Sequence, residues 1–288
     1  MPELPEVEMV VRMLRPQLVG RRIEGVELLW ERIVDRPTPE EFSRQLTGAT
    51  LTTAGRRGKY LLFPLDNGQT WLVHLRMTGK FLVRSDPGLE APADALWNPT
   101  HIRARLRLDN GTYLLYIDMR KFGRFYLVSD PEEIVGDLGP EPLGEEFTGA
   151  WLQAALEGRR GELKRLLLQQ HFLVGLGNIY VNEALWRAGI HPQRIAGTLT
   201  PTEIARLHTA IVTALREGIQ NGGTSLGDRQ YVYPDGNLGQ HQHHLAVYDR
   251  EESRCPRCGY AIERIIQGQR STYFCPVCQA APRQESSE

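Results

Sequence analysis

The residues with the most specific chemistry lie near the C-terminal end, where CPRC at 255–258 and CPVC at 275–278 form a C-x2-C-x16-C-x2-C array. That is the spacing of two zinc knuckles. Four thiolates close a tetrahedral site and leave no position for a water, so one zinc held by Cys255, Cys258, Cys275 and Cys278 would be structural. A segment this short cannot build a core alone, and the metal substitutes for one. Between the knuckles Arg264 and Arg270 project from an expected β-hairpin, a common way to offer guanidinium to phosphate. Zinc ribbons also serve as protein-binding modules, so the ribbon by itself does not assign nucleic acid.

The other end raises a different question. The chain opens MPELPEVE, with a proline behind the methionine and carboxylates at Glu3, Glu6 and Glu8. This stretch reads as a disordered end, as the start of a helix, or as a terminus whose free amine is a reagent. Val7, Val10, Val11, Leu14 and Leu18 recur at helical spacing and Gly20 stands where a stop belongs, so a helix begins almost at the terminus. A packed helix would hold the first residues against the fold, which weakens the first reading.

Three pieces join bases to aromatic or sulfur side chains: RRGKY (56–60), HLRMTGK (74–80) and DMRKFG (118–123). A protein that flips a base must plug the vacated space with an apolar or planar group while cations hold the backbone. Met77 and Phe122 serve equally well as core residues at this level. In VGLGNIYVNEALWRAGI (174–190), Gly175 and Gly177 look like half of a dinucleotide fingerprint. The preceding GELKRLLLQQ reads as helix, so the strand that such a fingerprint needs is absent. A glycine turn with Asn178 opening the second helix presents N–H groups to an anion. A plain helix–helix turn uses glycine too.

Elements must position these groups. From about Ile23 to Val128 short runs of Val, Leu, Tyr and Thr alternate with turns, and DNG at 66–68 and 109–111 marks two hairpins, so this half reads as a β-sandwich. Residues 129–146 are acidic and rich in Pro and Gly, as a linker would be. Thr200, Pro201 and Glu203 then form a capping box before the stripe Ile204, Leu207, Ile211 and Leu215, a helix with His208 beside the stripe in a structural role. The polar, Gly-rich segment 221–242 suggests an exposed loop.

With 288 residues and 41% hydrophobic content the chain can bury a substantial core, and its size favours two domains. No run of about 18 apolar residues exists and the first ten residues hold three acids and no base, which supports neither a membrane span nor a secretory signal. A cytoplasmic protein is expected, and the clustering of all four cysteines in one array agrees with a reducing compartment. The net charge of −1 taken alone argues weakly against nucleic acid, but residues 51–84 carry six Lys or Arg against one Asp, whereas 130–146 carry seven acids and no base. Such a chain can present a basic face to phosphates.

Taken in order, PELPEVE (2–8), RRGKY, HLRMTG, DMRKFG, LGPEPL (138–143), GNIY (177–180), GGTS (222–225), QHHLAVY (242–248) and QRSTYFCPVCQ resemble the bacterial formamidopyrimidine-DNA glycosylases, the Fpg branch of the Fpg/Nei family. The resemblance implies an α+β multidomain fold: an N-terminal β-sandwich with an N-terminal helix (1–130), a linker (131–146) and a helix–two-turn–helix domain (147–225). A flexible lesion-recognition loop and connection (226–250) and a four-cysteine zinc ribbon (251–282) follow, with one structural zinc. It implies a bifunctional glycosylase and AP lyase that removes 8-oxoguanine and formamidopyrimidines through a Schiff base, then β,δ-elimination. The implied partner is double-stranded DNA with oxidised bases or abasic sites, met by a bacterial cytoplasmic monomer associated with the nucleoid when bound.

The resemblance also supplies roles. Pro2 is the nucleophile once Met1 is removed, Glu3 the general acid–base, and Lys59 and Arg270 support catalysis. Lys59, His74, Lys164, Asn178 and Arg270 contact DNA, and Met77, Arg120 and Phe122 fill the gap left by the flipped base. Three positions depart from the usual motifs: Arg76 and Asp249 stand where glycine is frequent, and Lys121 where arginine is. A Nei-like pyrimidine glycosylase and a non-catalytic DNA-binding zinc-ribbon protein are the alternatives. PEL at 2–4 favours the purine branch, and PE at 2–3 argues against a silent protein.

Overall fold

The computed structural model describes residues 1–87, 98–225 and 232–281. The chain divides into two compact units, 1–137 with 218–242 and 138–217 with 243–288.

The first unit begins with helix α1 (Leu4–Leu18), whose buried Val7, Val10, Val11, Leu14 and Leu18 are the stripe read from the sequence. Strands β1 (Ile23–Leu28) and β2 (Val34–Arg36), helix α2 (Pro39–Leu46) and strands β3 (Gly55–Arg57), β4 (Tyr60–Pro64), β5 (Thr70–His74), β6 (Lys80–Arg84), β7 (Ile102–Leu108), β8 (Tyr113–Ile117) and β9 (Arg124–Val128) follow, then a single turn α3 (Glu132–Val135). They form a four-stranded sheet, β1-β7-β8-β6, and a five-stranded sheet, β2-β9-β5-β4-β3. Both DNG segments close hairpins, β4–β5 and β7–β8. The sheets meet through an aromatic stack in which Phe81 and Tyr116 of one face Trp71 and Phe125 of the other, with centroids 4.8–6.4 Å apart. Each such side chain taken from water contributes about 1.5–3 kcal/mol.

Helix α2 stands inside the half read as sandwich alone. Its start is local, since the Thr38 hydroxyl accepts the Glu41 N–H and Pro39 opens the first turn. Segment 221–242 also differs from the exposed loop expected. Residues 226–231 lie outside the described residues, but Val232, Tyr233 and His241 are buried, because Tyr233 packs into the sandwich core and its hydroxyl donates to the Gly222 carbonyl.

In the second unit come α4 (Gly149–Leu156), α5 (Leu163–Leu167), α6 (Asn178–Ala188), α7 (Pro201–Gln220, its last three residues in the first unit) and a hairpin of β10 (Glu263–Gln267) and β11 (Arg270–Phe274). Part of the expected linker packs here: Gly139 N–H donates to Gln170 O, and Pro140 O accepts from Val174 N–H. His208 is structural, bonding Phe147 O through Nε2 at 2.9 Å. Among the described residues no helix is long and apolar enough to cross a membrane.

Helix α7 starts as its sequence indicates, with Thr200 N–H donating to Glu203 Oε2 at 2.8 Å and Glu203 N–H to Thr200 Oγ1 at 3.3 Å. Thr200→Ala should lower stability by about 1 kcal/mol, read as a shift of the denaturation midpoint at unchanged slope.

Candidate active site and metal centre

The chain's first residues are held, not loose. Pro2 is buried, and Glu3 is the N-cap of α1. Glu3 N–H donates to Glu6 Oε2 at 2.8 Å, while Glu6 Oε1 accepts the Thr224 N–H at 2.7 Å. The Glu6 carboxylate thus ties the terminus to GGTS, where Thr224 lies 218 positions away. Gly223 is required there: at φ +75° a Cβ would stand 3.1 Å from both Cγ and Oε1 of Glu6. A second tie runs from Glu8, which pairs with Arg12 at 2.8 Å and with Arg56 of β3 at 2.9 Å. That pair fixes α1 against the β3–β4 hairpin, whose turn carries Lys59, 5% exposed.

Beside that turn lies His74, paired with Tyr60 across β4–β5. Burial first, then the charges of Arg76 and Lys59, lower its pKa to about 3. The neutral ring accepts the Arg76 N–H on Nδ1 at 3.0 Å, which leaves its proton on Nε2 as a donor.

Met77, Arg120 and Phe122 come together although they arise from two loops. Arg120 Nη1 lies 3.0 Å from Met77 Sδ, and its guanidinium carbon lies 4.6 Å above the Phe122 ring. Met77 and Phe122 are 40% and 45% exposed, so neither is a core residue. Both loops turn on a non-glycine residue in the left-handed region, Arg76 at φ 54° and Lys121 at φ 60°, and Asp249 is a third at φ 58°. Two of the three are the positions where the motifs usually carry glycine. The left-handed backbone explains that usage, because a Cβ there costs roughly 1–2 kcal/mol.

The second unit holds the other candidates. Asn178 opens α6 and donates from Nδ2 to Ser271 O at 2.9 Å, which sets it beside Arg270, exposed at the head of β11. Lys164, which the resemblance expects to contact DNA, is buried. It is 0% exposed, and its ammonium donates to Thr272 Oγ1 at 2.6 Å and to Ser271 O at 3.1 Å. Its charge is thus used inside the protein, seating the hairpin on α5. Asn182 completes the seat by accepting the Tyr273 N–H on Oδ1. Glu183, next to it, accepts the N–H groups of Ala246, Val247 and Tyr248 at 2.9 Å each. Sequence reasoning did not single out Asn182 and Glu183; a buried polar pair in an apolar helical motif was the available signal.

The four cysteines converge, every sulfur within 4.8 Å of the others, with Cys255–Cys278 at 3.9 Å and Cys258–Cys275 at 3.4 Å. A tetrahedron with Zn–S bonds of about 2.3 Å has edges of about 3.8 Å, so the set fits one zinc. Trp186 Nε1–H donates to Cys255 Sγ and Cys278 N–H to Cys275 Sγ, both at 3.4 Å, as donors to metal-bound thiolates do.

Known proteins resemble the chain over nearly its whole length. Residues 1–125 match the formamidopyrimidine-DNA glycosylase N-terminal domain, 138–230 the H2TH domain of the same enzymes, and 252–281 the zinc finger found in FPG and IleRS. A formamidopyrimidine-DNA glycosylase of Chloroflexus aggregans is 47% identical, covering 97% of this chain and 98% of its own length. The Lactococcus lactis Fpg in complex with DNA containing an abasic site superposes with a TM-score of 0.86 at 36% identity, covering 97% of this chain and all of that one. The same enzyme with DNA containing Fapy-dG gives 0.85 at 36% identity, with the same coverage.

Two outcomes are expected. Cys275→Ser should lose the zinc, measured as metal per chain, and change Trp186 fluorescence as its thiolate partner is released. His74 should remain neutral in the folded protein down to about pH 3, seen in its imidazole NMR resonances. Because the unfolded chain binds that proton below about pH 6.5, His74 should withdraw stability as pH falls from 6.5 toward 3, a loss that His74→Gln removes.

Proposed function

The chain belongs to the formamidopyrimidine-DNA glycosylase family and is a DNA glycosylase and AP lyase of oxidised-purine repair; from that premise we propose that its nucleophile is the amine of Pro2. On this reading it excises 8-oxoguanine and formamidopyrimidines from double-stranded DNA through a Schiff base and cuts the strand by β,δ-elimination. It does so as a monomer in the bacterial cytoplasm, associated with the nucleoid while on DNA.

The observation that carries the proposal is the buried, doubly tied head of α1. An α-amine titrates near 7.7–8.0 against about 10.4 for lysine, so far more of it is free base at neutral pH. Attack on C1′ by a secondary amine yields an iminium, which must stay cationic and so withdraws electrons for base loss and later elimination. Glu3, the next residue, passes a proton to the sugar ring oxygen. Glu6 touches no substrate and positions both.

Lys59 and the Nε2–H of His74 supply donors to the phosphates at the lesion, and Asn178 with Arg270 clamps the backbone. Lys164 acts at one remove, by seating the hairpin that carries Arg270. Met77 and Arg120 enter the vacated stack while Phe122 wedges beside the opposite base. Zinc, held by the four cysteines, keeps the hairpin folded and takes no part in the reaction.

The test is the terminus. While Met1 remains, the Pro2 nitrogen is a tertiary amide. A homogeneous Met1-retaining form should bind lesion duplex but neither cut it nor be trapped on it by borohydride. Glu3→Gln, with the amine intact, should lose base excision severely yet keep some trapping at a preformed abasic site. Robust cutting and trapping by the Met1-retaining form would assign the nucleophile to an internal lysine, Lys59 first.

A further inference from the structure

The two loops that carry Met77 and Arg120 share one buried carboxylate. Asp118, 0% exposed, directly follows β8 and accepts from both sides. The Thr78 hydroxyl donates to its Oδ1, which also receives the Arg120 N–H at 3.2 Å, and its Oδ2 takes the Gly123 N–H at 2.8 Å. Thr78 Oγ1 accepts the Arg120 N–H in turn at 3.1 Å. The carboxylate is itself fixed, because Asp118 O accepts from Arg103 Nε at 2.8 Å and Asp118 N–H donates to His101 O at 2.9 Å. Beneath it both loops close on one ring: a Cβ at Gly79 or Gly123 would fall 2.3 or 1.7 Å from Tyr116 Oη.

The geometry points to Asp118 as the positioning residue that holds Met77 and Arg120 as one preformed insertion unit, a role that rests on the wedge reading given above. A charge-assisted acceptor reaching Thr78 in one loop and Arg120 and Gly123 in the other fixes their spacing before DNA arrives. Their ordering then costs nothing at the moment of base extrusion. Asp118 touches neither the lesion nor the Pro2 amine. Its loss should be felt only where a base must be extruded and the gap filled.

Asp118→Asn keeps size and shape but turns one acceptor edge into a donor facing the Gly123 N–H or the Thr78 hydroxyl. Misplacing an inserting group by about 1 Å can cost on the order of a hundredfold, so single-turnover excision of 8-oxoguanine paired with cytosine should fall about tenfold to a hundredfold. Strand cleavage at a preformed abasic site should fall far less. The fluorescence of 2-aminopurine placed beside the lesion, which reports unstacking, should rise more slowly. Met77→Ala combined with Asp118→Asn should be no slower than the slower single variant. Thr78→Val, which removes one hydroxyl from the same carboxylate, should shift the same readings less and carries the test should Asp118→Asn misfold.

Equal loss of both activities in Asp118→Asn or Thr78→Val, or losses that multiply with Met77→Ala, would overturn the positioning role. If Met77→Ala itself shows no preference for the paired lesion, the wedge reading fails and the role of Asp118 falls with it. A preference in Met77→Ala that is absent from both Asp118→Asn and Thr78→Val defeats only the inference about Asp118.

Discussion

One buried carboxylate determines where the chain's first residues stand. Glu6 accepts from Glu3 N–H on one oxygen and Thr224 N–H on the other, and both bonds are shielded from water. A carboxylate placed so deep is tolerable only with such donors, since an unpaired buried charge is far more costly than the net gain of the bonds. The pairing therefore works in both directions. It makes the head of α1 rigid, and it recruits the segment after α7 into the first unit, where Ser225, Gly239 and Gln242 hydrogen-bond among themselves.

What could be read in the sequence beforehand was local. The zinc array, the DNG turns and the Thr200 cap each depend on a short contiguous motif or a regular spacing, and each stands where its motif put it. The α1 stripe is of the same kind. Helix α2 is local as well, but a short helix of about two turns capped by Thr38 hides among strands when periodicity is the guide. The Thr224 partner of Glu6 and the partners of Lys164, by contrast, lie 218 and 107 or 108 positions away. No spacing rule reaches that far, which is why the sequence does not show that Lys164 seats the zinc hairpin.

The family's glycine positions acquire a physical meaning in the same way. Arg76 occupies a left-handed turn where glycine would be unstrained, and the backbone N–H it presents is the one that His74 Nδ1 accepts. Its side-chain charge then helps keep that imidazole neutral. The substitution trades backbone strain for an additional cation at the mouth of the loop that carries Met77. Asp249 shows the same strain, and its Oδ1 lies 3.4 Å from the Tyr273 hydroxyl.

Glu6, Asp118 and Glu183 make a pattern: buried acids whose oxygens gather N–H or O–H groups from segments distant in sequence. Glu183 shows that stability alone does not account for them. Burial raises its pKa despite three backbone N–H donors, so its folded state holds a proton more readily than the unfolded chain does. By linkage such a group withdraws stability as pH rises past the ordinary carboxylate range. What that cost secures is placement: residues 246–248 are pinned to α6, on the helix whose Asn178 and Asn182 hold the zinc hairpin. Exposed bases and wedges need fixed positions to act on DNA, and in this chain buried carboxylates supply them.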